Sequence, residues 1–300
     1  MFHPGEYPES VEFCEVGPRD GFQFESLAIP TELKIGIIRD LADAGLPRIQ
    51  LTSFVHPEKV PQMADAEELA DVFRTQPGTR FSGLCLNMRG IKRAVGAGLT
   101  NVDISIATNE QHGMDNAGMT VSEGVNHASE MIQEAIGNGM QVQIGLQTVF
   151  GYNEPGDTPL DQVLEYCKVF SEAGVESVSI ADSTGLANPE SVKERVTAIL
   201  GVTGDIPLVL HLHDTRGLGL ANMHVALQLG VRRFDTSLGG LGGCPFIPGA
   251  SGNIATEDAA YLCETLGIRT GISIPGVAVQ SRRIAAHLGR MLPGKLYRLF

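Results

Sequence analysis

The sequence predicts a single (β/α)8 barrel, a TIM barrel, with an extra C-terminal helix, and three observations point there. Short β-branched or alternating runs recur at a mean spacing of about 32 residues, the size of one βα unit with its helix. Eight such runs occur, the number that closes a parallel barrel. Most intervening helical patterns end at a glycine, as in Ala44-Gly45-Leu46, Ala97-Gly98-Leu99, Asn138-Gly139-Met140, Ala173-Gly174-Val175 and Leu229-Gly230-Val231. Glycine suits that place because it reaches positive φ without a Cβ penalty.

The strand runs begin near Val11, Arg48, Arg80, Asn101, Gln141, Glu176, Pro207 and Arg233. Between them lie patterns such as Leu33 to Leu41, with apolar residues at helical spacing. Strands that alternate with helices pair in parallel through right-handed crossovers. An open doubly wound sheet shows the same alternation, but no G-x-G-x-x-G follows the first strand. The barrel is expected to run to about residue 270, and Pro275 to Met291 reads as a helix packed on its rim. No linker or low-complexity stretch divides the 300 residues, which are read as one catalytic domain.

Composition narrows the function. The chain has 22 basic and 35 acidic residues, a net charge of −13, so no basic stripe exists to neutralise nucleic-acid phosphates. With 43% hydrophobic and 19% charged residues it can bury a sizeable core. The charge-free stretch Thr236 to Thr256 is too rich in Gly and Pro for a membrane span, and the N-terminus lacks the basic start and apolar run of a signal peptide. A cytoplasmic protein with no membrane partner is the expectation. Cys14, Cys85, Cys167, Cys244 and Cys263 are odd in number and form no C-x-x-C pair, which argues against a disulfide framework or structural zinc. Four read as small core hydrophobes, and Cys244 sits in a glycine-rich loop.

A barrel's active site lies where strands end and βα loops begin. Polar residues gather there: Glu15 to Gly21 after strand one, Gln50 and Thr52-Ser53 in strand two, Asn87, Asn109-Glu110, Gln147, Asp182, and His211-Leu212-His213-Asp214. Residues two apart on a strand share a face, so both imidazoles of His211 and His213 are expected in the barrel mouth. They read either as a hydrogen-bonded pair or as half of a metal site. Asp20, at the end of strand one, lies two strands from strand seven around a closed barrel and offers a carboxylate. A mixed oxygen and nitrogen shell suits Mg2+ or Mn2+. Arg19, bracketed by Gly17-Pro18 and Gly21, reads as a loop-capping partner of Asp20 or as a fixed cation for an enolate oxygen. Asp182 reads as a loop cap or a functional acid. In the segment Leu238 to Asn253, glycine density suits a mobile lid, and the lysine of a phosphate-binding P-loop is missing. Asn253 is a turn residue or a metal ligand, and Cys244 a turn cysteine or a lid thiol.

Together these motifs resemble the 3-hydroxy-3-methylglutaryl-CoA lyases, within a wider group of metal-dependent barrel lyases, aldolases and acyl synthases. The resemblance is carried by Glu15-Val16-Gly17-Pro18-Arg19-Asp20-Gly21, Thr52-Ser53-Phe54-Val55, Val60-Pro61-Gln62-Met63, His211-Leu212-His213-Asp214-Thr215, Leu220-Ala221-Asn222, and the glycine-cysteine loop through Cys244 to Asn253. It implies Asp20, His211, His213 and Asn253 as ligands of a divalent metal, with no organic cofactor. It also implies Arg19 at the enolate of departing acetyl-CoA, Asp182 at the substrate hydroxyl and Cys244 as lid thiol. Gln23, Gln50 and Ser53 are expected to bind substrate. The implied partner is an acyl-CoA thioester, and the implied reaction a retro-Claisen cleavage to acetyl-CoA and a β-keto acid. A homo-oligomer, a dimer through the rim helix, is expected. Lys59 and Arg89 lie on loops suited to coenzyme A.

Several positions depart from the family. Gln50 stands where it carries a glutamate, which removes a negative charge and a proton acceptor. Phe24, Arg216 and Leu218 replace polar or aromatic residues, and Leu146-Gln147-Thr148-Val149-Phe150 lacks the Ser-Cys of strand five. Substrate identity is therefore more open than fold and metal site. Acyl transfer on an α-keto acid, an aldolase reaction and a non-catalytic binding barrel are the competing readings. The first normally needs C-terminal domains, and the glycine-cysteine loop argues against the second. Retention of the full ligand set argues against the third.

Overall fold

A computed structural model describes residues 7–243 and 252–300. Its centre is a closed barrel of eight parallel strands in sequential order: β1 (Glu12–Glu15), β2 (Arg48–Ser53), β3 (Arg80–Cys85), β4 (Asn101–Ala107), β5 (Gln141–Gln147), β6 (Ser177–Asp182), β7 (Leu208–Leu212) and β8 (Arg233–Thr236). β1 closes on β8 with Glu12 beside Arg233 and Glu15 beside Thr236. The glycine-terminated repeat thus does what its spacing predicts. Around the barrel run α1 (Thr31–Asp43), α2 (Ala66–Phe73), α3 (Met88–Gly96), α4 (Glu110–Ala117), α5 (Val121–Gly137), α6 (Leu160–Glu172), α7 (Pro189–Thr203), α8 (Gly219–Gln228) and α9 (Thr256–Thr265). The rim helix α10 spans Ile274–Leu288, starting one residue before the expected proline and ending three before Met291. Gly289 stops it in the left-handed conformation.

Outward-facing strand residues and the inner helix faces form the core, with Ile37, Leu41, Ile49, Ile104, Ile144, Phe170, Val178, Leu210 and Phe234 all buried. Cys14, Cys85, Cys167 and Cys263 are buried free thiols, as expected of core cysteines. At the N-terminal end of the barrel an ion-pair network closes the axis. Arg80 meets Glu12 at 2.8 Å, and Arg233 meets Glu176 at 2.7 Å, with Arg48 between both acids. Access to the barrel interior is therefore from the C-terminal end. No helix among the described residues is long and apolar enough to cross a membrane.

Among the described residues, the segment between β4 and β5 carries two helices where the repeat calls for one. Asn109, expected to end strand four, instead caps α4 by accepting from His112 N, and Thr120 opens α5 with a reciprocal capping box through Glu123. Two helices where the pattern calls for one enlarge the wall of the mouth on that side.

Candidate active site

The site grows from the loop after β1. The chain leaves Glu15 and turns tightly over Gly17–Gly21. A Cβ at Gly17 would lie 2.2 Å from Leu238 Cδ2 and 2.6 Å from Glu15 Oε1, so only glycine permits this turn against the loop after β8. Glu15 Oε1 accepts from Gly17 N and Leu238 N, and Oε2 accepts from Thr256 Oγ1 at 2.6 Å. Burial, only partly offset by these bonds, pushes the Glu15 carboxyl up to about 7. The acid ties the first and last βα loops together, which fixes Arg19 and Asp20 against the segment that returns at Asn253.

Asp20 lies at the mouth with His211 and His213, their ligand atoms all within 4.8 Å of one another. His211 ends the inward face of β7, and His213, just past the strand, forms an isolated bridge with Asn253. The two Nε2 atoms face each other at 3.1 Å, and His211 Nε2 is 4.0 Å from Asp20 Oδ2. Asn253 Nδ2 donates to Asp20 Oδ2 at 2.6 Å and to Leu241 O at 3.0 Å, leaving its buried Oδ1 without a partner. Gly242, at φ 133°, passes directly over this pair, where a Cβ would lie 2.5 Å from Asn253 Nδ2.

Electrostatics prepares the group for a cation. Burial works to raise the Asp20 carboxyl, but Arg19 and the two imidazoles outweigh it and hold Asp20 below its ordinary value. Burial would likewise lower His211, yet Asp235 and Asp20 keep it above its ordinary value. His213 is pushed down to about 3, first by burial and then by His211, so its ring is neutral and able to donate a lone pair. His211 Nδ1 contacts Asp235 Oδ2 at 3.2 Å, the carboxylate-to-imidazole arrangement that orients a metal-ligating ring. Neutral imidazole, ionised carboxylate and an orphaned amide oxygen fit a divalent ion of mixed oxygen and nitrogen preference.

Arg19 Nη1 donates to Asp20 Oδ1 at 2.8 Å, and Arg19 Nε donates to Gln50 Oε1. The amide of Gln50 then donates to Asp103 Oδ2 at 2.6 Å. Ser53 is fully buried on the same strand, with its hydroxyl donating to Leu84 O. These residues line one cavity of about 930 Å3, within the range of small-molecule sites, together with half-buried Gln23 and exposed Lys59 at the rim. Arg89 is exposed and does not line it.

One expected residue stands apart from this group, and another is not described. Asp182, expected at the substrate hydroxyl, is not among the cavity-lining residues, although Ala181 and Ser183 on either side are. Its Oδ1 accepts from Leu186 N at 2.8 Å and Ala187 N at 3.1 Å, the loop-capping arrangement, and burial pushes its carboxyl up to about 6. The physical reason is strand alternation, which aims residue 182 away from the axis that 181 faces. Cys244 lies outside the described residues. Sequence reasoning passed over Asp103 and Asp235, both inward-facing acids; the period-two alternation of β4 and β8 carried that signal.

Known proteins are similar over nearly the whole chain. The family described as HMGL-like matches residues 10–282. A hydroxymethylglutaryl-CoA lyase of Bacillus subtilis is 37% identical over 294 residues, 98% of each chain. The mitochondrial hydroxymethylglutaryl-CoA lyase of Bos taurus is 37% identical over 292 residues, covering 97% of this chain and 90% of its own. Among solved structures, the Bacillus subtilis HMG-CoA lyase superposes with a TM-score of 0.93 at 37% identity, covering 98% of this chain and 99% of its own. An HMG-CoA lyase from Acinetobacter baumannii, in complex with coenzyme A and 3-methylmalate, reaches 0.91 at 36% identity over 97% and 95% of the two chains.

Proposed function

Because the chain belongs to the HMGL-like family, we propose that it cleaves a 3-hydroxyacyl-CoA, 3-hydroxy-3-methylglutaryl-CoA or a close analogue, to acetyl-CoA and a keto acid. It is a carbon–carbon lyase. The observation that carries this reading is the convergence of Asp20, His211 and His213 at the open end of the barrel, with Arg19 beside them. The complex of the Acinetobacter baumannii relative with coenzyme A supports a thioester of coenzyme A as substrate.

Asp20, His211, His213 and the free Oδ1 of Asn253 would hold the divalent ion, read as Mg2+ or Mn2+ from its donors. Such an ion acts as a Lewis acid that makes a tertiary hydroxyl easier to deprotonate. A general base takes the hydroxyl proton, the bond between the carbinol carbon and the acetyl methylene breaks, and its electron pair passes to the acetyl-CoA enolate. That carbon then takes up a proton, and the carbinol becomes a ketone. The exchange is redox-neutral and calls for no organic cofactor. Arg19, clamped by Asp20 and Gln50, stabilises the enolate oxygen as charge develops. Gln23 and Ser53, on the same wall as Gln50, orient the acyl group, and Lys59 at the rim offers a cation to coenzyme A. By its resemblance to the family, Cys244 would supply a thiol to the reaction.

The test is a panel of coenzyme A thioesters incubated with metal-loaded protein, products identified by mass spectrometry. Acetyl-CoA plus the matching keto acid is the expected result. If no 3-hydroxyacyl thioester releases acetyl-CoA, the proposal is wrong.

A further inference from the structure

The barrel axis beneath the mouth is polar where barrels of this type carry bulky branched side chains. Gln50 of β2, Ser82 of β3 and Asp103 of β4 are all buried and meet at one carboxylate oxygen. Gln50 Nε2 donates to Asp103 Oδ2 at 2.6 Å, and Ser82 Oγ donates to the same oxygen. Gln50 and Ser82 are register partners, so the acid of β4 reaches past β3 to touch a side chain of β2. Strand β2 is irregular at this point: Gln50 pairs with Ser82 and Thr52 with Gly83, which leaves Leu51 as an extra residue. A bulge of this kind re-aims the side chains beside it and is common next to active sites. At its other end the Gln50 amide accepts from Arg19 Nε, and Arg19 Nη1 donates to Asp20 Oδ1 at 2.8 Å. Two of the guanidinium nitrogens are therefore anchored, and Nη2 has no partner among the described residues.

We propose that Asp103 is a positioning residue for Arg19, acting through the amide of Gln50, so that the free Nη2 edge is held in place for the enolate oxygen. The inference rests on the lyase reading for the role of Arg19. Both ends of the Gln50 amide are specified here. Arg19 only donates, and Asp103 Oδ2, already accepting from Ser82, presents a lone pair to Gln50. Turning the amide over would set donor against donor at Arg19 and acceptor against acceptor at Asp103. The carboxyl thus fixes where Gln50 Oε1 sits, and Oε1 together with Asp20 fixes the plane of the guanidinium. Donors to a developing oxyanion are effective because they are held in place before charge appears. Without Asp103 the Gln50 side chain loses its anchor, and Arg19 keeps one fixed contact, to Asp20, about which it swings. The family carries its carboxylate at position 50; in this chain an acid stands on β4, and Gln50 connects it to Arg19. Asp103 Oδ1 is buried without a partner among the described residues, so the acid is kept at a cost to stability.

Variants of the whole enzyme that melt as cooperatively as the wild type test this. Asp103→Leu withdraws the acceptor from Gln50, and Asp103→Ser, too short to reach it, serves where leucine does not fold. Asp103→Asn keeps an acceptor, and Gln50→Leu removes the link itself. Acetyl-CoA release from the thioester cleaved fastest gives kcat and KM. Independently of turnover, 1H–15N spectra of protein labelled at arginine Nε report how Arg19 is held, its signal being the one that Arg19→Lys removes. Asp103→Leu should lower kcat about tenfold or more, change KM less than about threefold, and shift or broaden the Arg19 signal. Asp103→Asn should bring kcat back to within about threefold of the wild type and restore the signal. The double variant Asp103→Leu/Gln50→Leu should be within about twofold of Gln50→Leu, because the acid acts through that amide. In an active wild type, an unchanged kcat or an unmoved Arg19 signal in the folded Asp103 variants, or single effects that multiply in the double variant, overturns the proposal. A displaced Arg19 signal in a protein that releases no acetyl-CoA from any 3-hydroxyacyl thioester would instead contradict the lyase reading and leave the hold of Asp103 on Arg19 supported.

Discussion

Replacing Gln50 by the family's glutamate probes the polar chain that runs from Asp20 through Arg19 and Gln50 to Asp103. From sequence alone, Gln50→Glu should improve cleavage of 3-hydroxy-3-methylglutaryl-CoA by returning a carboxylate to Arg19. The geometry changes that expectation, because Gln50 Nε2 donates to Asp103 Oδ2 at 2.6 Å. In the variant two carboxylate oxygens would meet there. At an effective dielectric of about 20, unit charges ~3 Å apart repel by roughly 5 kcal/mol, so the pair holds one proton at neutral pH. Burial already raises the Asp103 carboxyl, which favours that shared proton. Relative to the wild type, Gln50→Glu should therefore lose about 1.4 kcal/mol of stability per pH unit from about pH 4.5 upward, because the unfolded chain releases a proton that the native pair keeps. The loss should level off once the pair itself releases it. The double variant Gln50→Glu/Asp103→Asn restores an amide-to-carboxylate bond with its direction reversed. It should show little of this pH dependence and should exceed the single variant in acetyl-CoA release at pH 8. Urea unfolding at pH 6 and pH 9, with acetyl-CoA assays alongside, measures both effects. A single variant as stable at pH 9 as the double, and no less active, would refute the reasoning.

Other consequences concern separate parts of the molecule. His213→Ala removes a neutral imidazole from the ligand group and should abolish tight retention of a divalent ion; unchanged stoichiometry by elemental analysis would remove His213 from the shell. Glu257 is buried, accepts from Gly239 N and Ser281 Oγ, and has its carboxyl pushed up from 4.5 to about 7, chiefly by burial. The native state therefore binds a proton that the unfolded chain releases near pH 4.5, and Glu257 costs roughly 3 kcal/mol of stability as pH rises from about 4.5 to about 7. Glu257→Gln should flatten that part of the stability curve in urea titrations, and an unchanged slope would contradict the assignment. Asp182→Ala removes two loop hydrogen bonds and should cost about 1–3 kcal/mol in unfolding free energy. KM and kcat for folded enzyme should change less than tenfold; a drop of a thousandfold in kcat would return Asp182 to the chemistry.

The barrel was legible because its signals are local. Eight alternating runs and the glycines after the helices follow from backbone preferences within about ten residues of each position. His211 and His213 were legible for the same reason, since two residues on one strand necessarily share a face. Asp103 and Asp235 were not, although each is inward-facing: their meaning depends on which residue stands beside them on the next strand, and that is set by register around the closed sheet. Asp182 shows the converse ambiguity between loop cap and functional acid. A polar residue at a strand end looked catalytic, but the side of the strand it occupies decides, and that side faces the following loop. Gln50 was recognised as unusual, while its partner Asp103 lies 53 residues further along the chain and only the folded barrel brings them together.

The most direct measurement is acetyl-CoA release from 3-hydroxy-3-methylglutaryl-CoA by chelator-stripped protein, before and after a divalent ion is restored. Stripped protein should release none, and added Mg2+ or Mn2+ should bring release with stoichiometric acetoacetate. Equal release without the ion, or none with it, would rule out a metal-dependent lyase.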